Sequence, residues 1–93
     1  MAVLVKIPTP LRRFSEGKTT VEAEGTTISE VFQNLESECP GILERLYDGE
    51  GLRRFINVYL NDEDIRFLNG ERTTVNDGDR VSIIPAIAGG SRR

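Results

Sequence analysis

One stretch alone carries a helical hydrophobic period long enough to bury a face. Ile28, Val31, Phe32 and Leu35 fall at i, i+3, i+4 and i+7, a single apolar stripe. Thr27-Ile28-Ser29-Glu30 at its head matches a capping box, with Thr27 as N-cap and Glu30 reaching back to its amide. Glu36, Ser37 and Glu38 belong to the solvated side, and Pro40-Gly41 ends the helix. Ile42 to Tyr47 predicts one or two further helical turns. A chain of 93 residues with one principal helix must build the rest of a single core from strands.

Those strands are legible from alternation. Ala2 to Ile7 places Val3, Val5 and Ile7 on one face, and Pro8 and Pro10 close it, since proline cannot donate to a ladder. A connection follows that Leu11 and Phe14 pin to the body. Thr19 to Glu24 forms a second short strand, with Val21 and Ala23 inward and Thr20, Glu22 and Glu24 in water. Proximity in sequence makes an antiparallel hairpin of these two strands. Asp48-Gly49-Glu50-Gly51 reads as a flexible loop. Phe55 to Leu60 alternates, with Ile56, Val58 and Leu60 on one face and Phe55, Asn57 and Tyr59 on the other. Ile65 to Leu68 and Thr73 to Val75 read as short extended pieces, with a tight turn at Asn69-Gly70. Asn76-Asp77-Gly78-Asp79 is a turn, and Arg80 to Pro85 is the last strand.

One helix cannot cover both faces of a sheet. The economical solution is an α+β fold, a mixed sheet curled over a single main helix: the β-grasp, or ubiquitin-like, arrangement. In it Val31, Phe32 and Leu35 pack against Val3, Val5, Val58 and Val81. A ferredoxin-like fold would need a second full helix, which Ile42 to Tyr47 is too short to supply. The expected organisation is a β-grasp domain over residues 1–86 and a flexible C-terminal tail over 87–93.

Composition narrows the chemistry. There is no histidine, which removes the commonest general base and metal ligand. The one cysteine, Cys39, permits no internal disulfide, reads as a half-buried structural residue, and leaves a zinc site without ligands. Asp62-Glu63-Asp64 and Asp77/Asp79 have the oxygen ligands for a hard cation, but each group sits at a turn, where such residues serve the backbone. Arg12-Arg13 and Arg53-Arg54 read as solvated faces. No nucleophile–base pair or phosphate-binding loop is present, so no catalytic residue and no metal site is assigned. The net charge is −3, and without Arg92 and Arg93 ten basic side chains stand against fifteen acidic ones, a net of −5. An acidic body argues against a nucleic-acid partner and suits docking onto a basic protein surface. No apolar run approaches a membrane span. Met1-Ala2-Val3-Leu4 lacks the features of a signal peptide, so a cytoplasmic location is the expectation.

What remains is the end of the chain: Val81-Ser82-Ile83-Ile84-Pro85-Ala86-Ile87-Ala88-Gly89-Gly90, then Ser91-Arg92-Arg93. An apolar strand gives way to small residues and then to two glycines with no side chain to obstruct entry into a narrow channel. Read alone, this is either a frayed terminus or a tail presented by the body.

Three stretches carry a resemblance: Ile7-Pro8-Thr9 with Leu11-Arg12, the segment Arg54–Phe67, and Asp77-Gly78-Asp79 with the strand and Gly-Gly tail that follow. Together they cover nearly the whole chain from Val3 to Gly90. They resemble the ubiquitin-like sulfur carriers of the MoaD and ThiS class, and most closely the branch that serves cysteine biosynthesis. The resemblance implies a carrier and not an enzyme. Such a carrier binds no cofactor; ATP is used by an adenylating, ubiquitin-activating-like enzyme that activates the terminal glycine carboxylate. Sulfide or a persulfide donor then yields a thiocarboxylate. In the cysteine branch a PLP-dependent cysteine synthase supplies the acceptor, and a JAMM-type metalloprotease releases the product. Carried onto this chain, Gly90 is the adenylation and thiocarboxylate attachment point and Gly89 its slender neighbour. Ile84 and Ile87 are candidates for an apolar docking patch, with core packing as the other reading of Ile84.

One feature departs from the active form. Ser91-Arg92-Arg93 follows Gly90, so the carboxyl that should react is held in a peptide bond. A precursor cleaved between Gly90 and Ser91 is the expectation; a cloning scar is the duller reading. Other branches remain as alternatives: a carrier for molybdopterin, thiamin or tRNA thiolation, a protein modifier joined through Gly90, or an interaction module whose tail has no chemistry.

Overall fold

The computed structural model describes residues 2–49, 51–53 and 55–85. Strands β1 (Ala2–Lys6) and β2 (Thr20–Glu24) lead to helices α1 (Ile28–Glu38) and α2 (Ile42–Leu46). The short strands β3 (Tyr47–Asp48) and β4 (Gly51–Leu52) follow, then β5 (Ile56–Leu60), β6 (Glu63–Asp64) and β7 (Arg80–Pro85). The main sheet has the order β2-β1-β7-β5-β6. β1 is antiparallel to β2 and parallel to β7, and β7 is antiparallel to β5. This is a β-grasp: a mixed sheet whose two central strands come from the two ends of the domain, with one principal helix across its concave face.

The helix forms where the hydrophobic period places it. The Thr27 side chain accepts the Glu30 amide at 3.2 Å, closing one half of the cap. The other half differs from expectation by one residue: the Glu30 carboxylate receives the Thr26 amide at 2.8 Å and the Thr26 hydroxyl at 2.9 Å. Those bonds hold the Glu30 carboxyl below its ordinary pKa, the Thr26 amide contributing most. An eleven-residue helix is marginal in isolation. A cap contributes about 1 kcal/mol, whereas each fully buried large apolar side chain contributes roughly 1.5–3 kcal/mol. Ile28, Val31, Phe32 and Leu35 are all fully buried, so packing and not capping holds α1 in place. They share one core with Val3, Val5, Val58 and Val81, as the pattern predicts.

The connections are more structured than the sequence suggests. Residues Thr9–Ser15 wind into a 3-10 helix that buries Leu11 and packs Phe14 against the core. Ile65–Phe67 is also a 3-10 turn and not a strand, because the Asp64 carboxylate accepts the Arg66 amide at 2.9 Å and draws the chain round. The piece expected at Thr73 to Val75 reduces to a single bridge, Thr27 to Thr74. The segment read as a loop at 48–51 pairs at its ends, Asp48 with Gly51. Cys39 is completely buried, not half-buried, and burial raises its thiol pKa.

Gly25 explains the tight entry into α1. A Cβ built there would lie 2.8 Å from the Val31 backbone nitrogen, closer than packed atoms allow. We expect Gly25→Ala to cost about 1–3 kcal/mol by overpacking and Phe32→Ala about 3–5 kcal/mol. Ile84→Ala, at an exposed position, should stay within about 1 kcal/mol. Urea denaturation with unchanged slopes measures all three.

Candidate functional site

β7 is the element that presents the end of the chain. It lies between β1 and β5, and its register sets Leu4 beside Arg80, Lys6 beside Ser82, and Asn57 opposite Ile84. Alternation buries Val81 and Ile83 and turns Ile84 to the outer face, where it is 47% exposed. That answers the two readings of Ile84: its side chain stands on the solvent face of the sheet. Phe55, the residue before β5, is exposed too. Phe67, at 84% exposed, was not foreseen. A strand over 65–68 would have placed Phe67 on the same side as buried Ile65; the 3-10 turn separates them. The aspartate ahead of that turn was the available signal.

Pro85 is the last described residue of the strand. Beside it Lys6, Pro8, Thr9, Arg12 and Ile84 line a shallow open depression of about 240 Å³. The Arg12 Nε donates to the Ile7 carbonyl at 3.1 Å, which ties the 3-10 helix to the end of β1. Ile87, Gly89, Gly90 and Ser91 lie outside the described residues, as does the rest of the expected tail.

The acidic groups weighed as cation ligands serve the backbone. Asn61 and Asp62 both adopt positive φ, +49° and +75°, the backbone of a tight β5–β6 hairpin. The Asp77 carboxylate accepts the Ala2 amide at 3.0 Å, and the Asp79 carboxylate accepts the Asn76 amide at 2.8 Å and the Asn61 side-chain amide at 3.0 Å. Asp64 pairs with Arg66 at 2.8 Å, and Arg66 also bonds Asn57. A larger cavity, about 610 Å³, opens at this edge of the sheet between Leu52, Ile56, Val58 and Gly70. Its charged groups are occupied: Asp64 and Arg66 by each other, the Arg53 guanidinium by the Glu44 carbonyl at 2.8 Å, and the Glu71 carboxylate by the Tyr47 hydroxyl.

The chain matches the ThiS family over residues 5–90, and it belongs to that family. The sulfur carrier protein CysO of Mycobacterium tuberculosis is 48% identical, the match spanning 97% of this chain and the whole of that protein. The fold is similar to that in the crystal structure of the Amycolatopsis orientalis BexX/CysO complex, with TM-score 0.89, 51% identity, and 95% of this chain and 99% of that one covered. It is also similar to the small archaeal modifier protein 1 of Methanosarcina acetivorans, with TM-score 0.85, 26% identity, and 96% of each chain covered.

The Asp64–Arg66 pair sets a pH dependence. Hydrogen bonding to the Arg66 side chain, then to its amide, lowers the Asp64 pKa on folding. A carboxylate depressed in the folded state stabilises above its unfolded pKa and loses that contribution as pH falls. We expect stability to decline below about pH 4 and Asp64→Asn to flatten that decline, read from unfolding midpoints between neutral and acid pH.

Proposed function

We propose that this protein is a sulfur carrier whose work is done at the carboxyl of Gly90. The observation that supports this most directly is where the family match stops. It ends at residue 90, on the second glycine, and the whole of the M. tuberculosis carrier is matched by 97% of this chain. The body 1–86 holds β7 rigidly, and the tail 87–93 continues from a strand end that carries exposed Ile84. A carboxylate is a poor electrophile until it becomes a mixed anhydride. An adenylating enzyme therefore uses ATP to join the Gly90 carboxylate to AMP, expelling pyrophosphate. Sulfide then displaces AMP and leaves a thiocarboxylate; a persulfide donor gives an acyl disulfide instead, from which a second thiol frees the thiocarboxylate by forming a disulfide with the donor sulfur. Gly89 and Gly90 pass through the enzyme's channel because neither carries a side chain.

The carrier itself binds no cofactor and supplies no catalytic group. Ile84 on the outer face, extended by Ile87, is the proposed docking patch for the activating enzyme. Cysteine biosynthesis is the pathway we assign, from the similarity to CysO. A PLP-dependent cysteine synthase then acts as acceptor enzyme, and all of these steps are cytoplasmic. Hydrolysis of the Gly90–Ser91 bond by a JAMM-type metalloprotease frees the reactive carboxyl and removes Ser91-Arg92-Arg93. The likeness to an archaeal modifier protein supports a second use of the same carboxyl, an amide bond to protein lysines, read as higher-mass conjugates that vanish when Gly90 is deleted.

The test is ATP–pyrophosphate exchange with the cognate adenylating enzyme. A form ending at Gly90 should support exchange and the full-length chain should not. Equal exchange by both would overturn the precursor reading. Ile84→Asp, in the form ending at Gly90, should raise the KM for the carrier about tenfold without moving its melting temperature; an unchanged KM removes Ile84 from the docking patch.

A further inference from the structure

We propose that the free edge of β2, with the groove between it and α1, binds a basic extended segment of a partner protein as an added strand. β2 is an edge strand of the five-stranded sheet. The Ile7 amide donates to the Thr19 carbonyl at 2.8 Å, so the bonded pairs of this ladder are Ile7 with Thr19, Val5 with Val21, and Val3 with Ala23. The residues between them, Thr20, Glu22 and Glu24, turn their backbone donors and acceptors away from β1. The Glu24 carbonyl confirms the direction: it accepts the Asn34 side-chain amide of α1 at 2.7 Å. Glu22 has its amide and carbonyl on this open edge.

Beside that edge lies an open groove of about 470 Å³ with Glu22, Glu24, Asn34, Ser37 and Glu38 in its wall. Three carboxylates line it and no lysine or arginine does. Val21 and Ala23 point into the core, so Glu22 and Glu24 project on the outer face and are exposed, while Glu38 comes from the helix. An added strand alternates its side chains between those two sides, so cations at either parity meet a carboxylate. The same charges exclude a second copy of this chain, because antiparallel β2–β2 pairing would set glutamates against glutamates. Charged edge residues commonly blunt a sheet edge; here they reject self-pairing and select a positively charged strand. The position also suits a carrier. β7 runs parallel to β1, so Pro85 lies toward the Lys6 end, whereas the groove is at the Ala2 and Glu24 end. A partner held there leaves the C-terminal tail free to react elsewhere.

The experiment is a titration of the 15N-labelled full-length protein with the acetylated, amidated peptide Arg-Thr-Lys-Val-Arg-Thr-Lys at low salt. Three controls accompany it: a counterpart with glutamate at every cation, a form N-methylated on its central backbone nitrogens, and the variant E22K/E24K. Amide shifts should centre on Glu22, Glu24, Asn34, Ser37 and Glu38, with slowed exchange of the Glu22 amide. The acidic peptide should not bind. E22K/E24K should weaken binding about tenfold, and N-methylation should do so by a similar factor. Absence of shifts at millimolar peptide, shifts centred on Ile84 and Phe55, or equal binding of the acidic or N-methylated peptide would overturn the proposal. So would a free protein that sediments as a dimer with its β2 amides already protected.

Discussion

The parallel pairing of β1 with β7 is the contact on which the rest of the molecule depends. It brings the first strand beside the last described one, in the centre of the sheet, where both bury their inward faces. Two parallel neighbours cannot be joined by a tight turn, so the intervening chain must cross over. α1 makes the crossing from β2 and supplies the core that covers Val3, Val5, Val81 and Ile83. Long-range pairing of this kind pays its loop-closure entropy before its contacts reward it. The fully buried stripe of Ile28, Val31, Phe32 and Leu35 is what repays it.

Because β7 is central, the described part of the chain ends on a strand flanked by β1 and β5. That suits the proposed function, in which the reactive carboxyl follows β7 in the sequence. The strand is laddered to β1 as far as Ser82 and to β5 as far as Pro85, and in the proposed function Gly89 and Gly90 offer no side chain to hinder insertion into a partner. The turn aspartates Asp64, Asp77 and Asp79 are spent on backbone amides. In the proposed function this chain presents the carboxyl and partner enzymes do the chemistry.

The helix, the β1–β2 hairpin and the core were legible because period, alternation and proximity in sequence report on them, whereas the pairings of β7 with β1 and β5 were not read from the sequence. Val21 and Ala23 inward, Glu22 and Glu24 outward, and the shared burial of Phe32 with Val58 and Val81 all follow from spacing alone. The short strand expected at Ile65 to Leu68 is a 3-10 turn for a physical reason. Three residues following an aspartate can extend or turn, and the decision lay with the Asp64 side chain, whose acceptance of the Arg66 amide favours the turn. The 3-10 helix at Thr9–Ser15 was hidden by its prolines, which mark the end of a strand but are equally at home in the first turn of a helix. The Gly-Gly tail announced itself in the sequence, yet its meaning rested on likeness to a family and not on any rule of packing.

The measurement that bears most directly on this account is the intact mass of the untagged protein isolated from its own cells under sulfur limitation. The account predicts a species that ends at Gly90, part of it carrying one sulfur in place of one oxygen. Finding only chains that retain Ser91-Arg92-Arg93, with no sulfur-substituted form, would contradict it and leave a β-grasp interaction module whose tail does no chemistry.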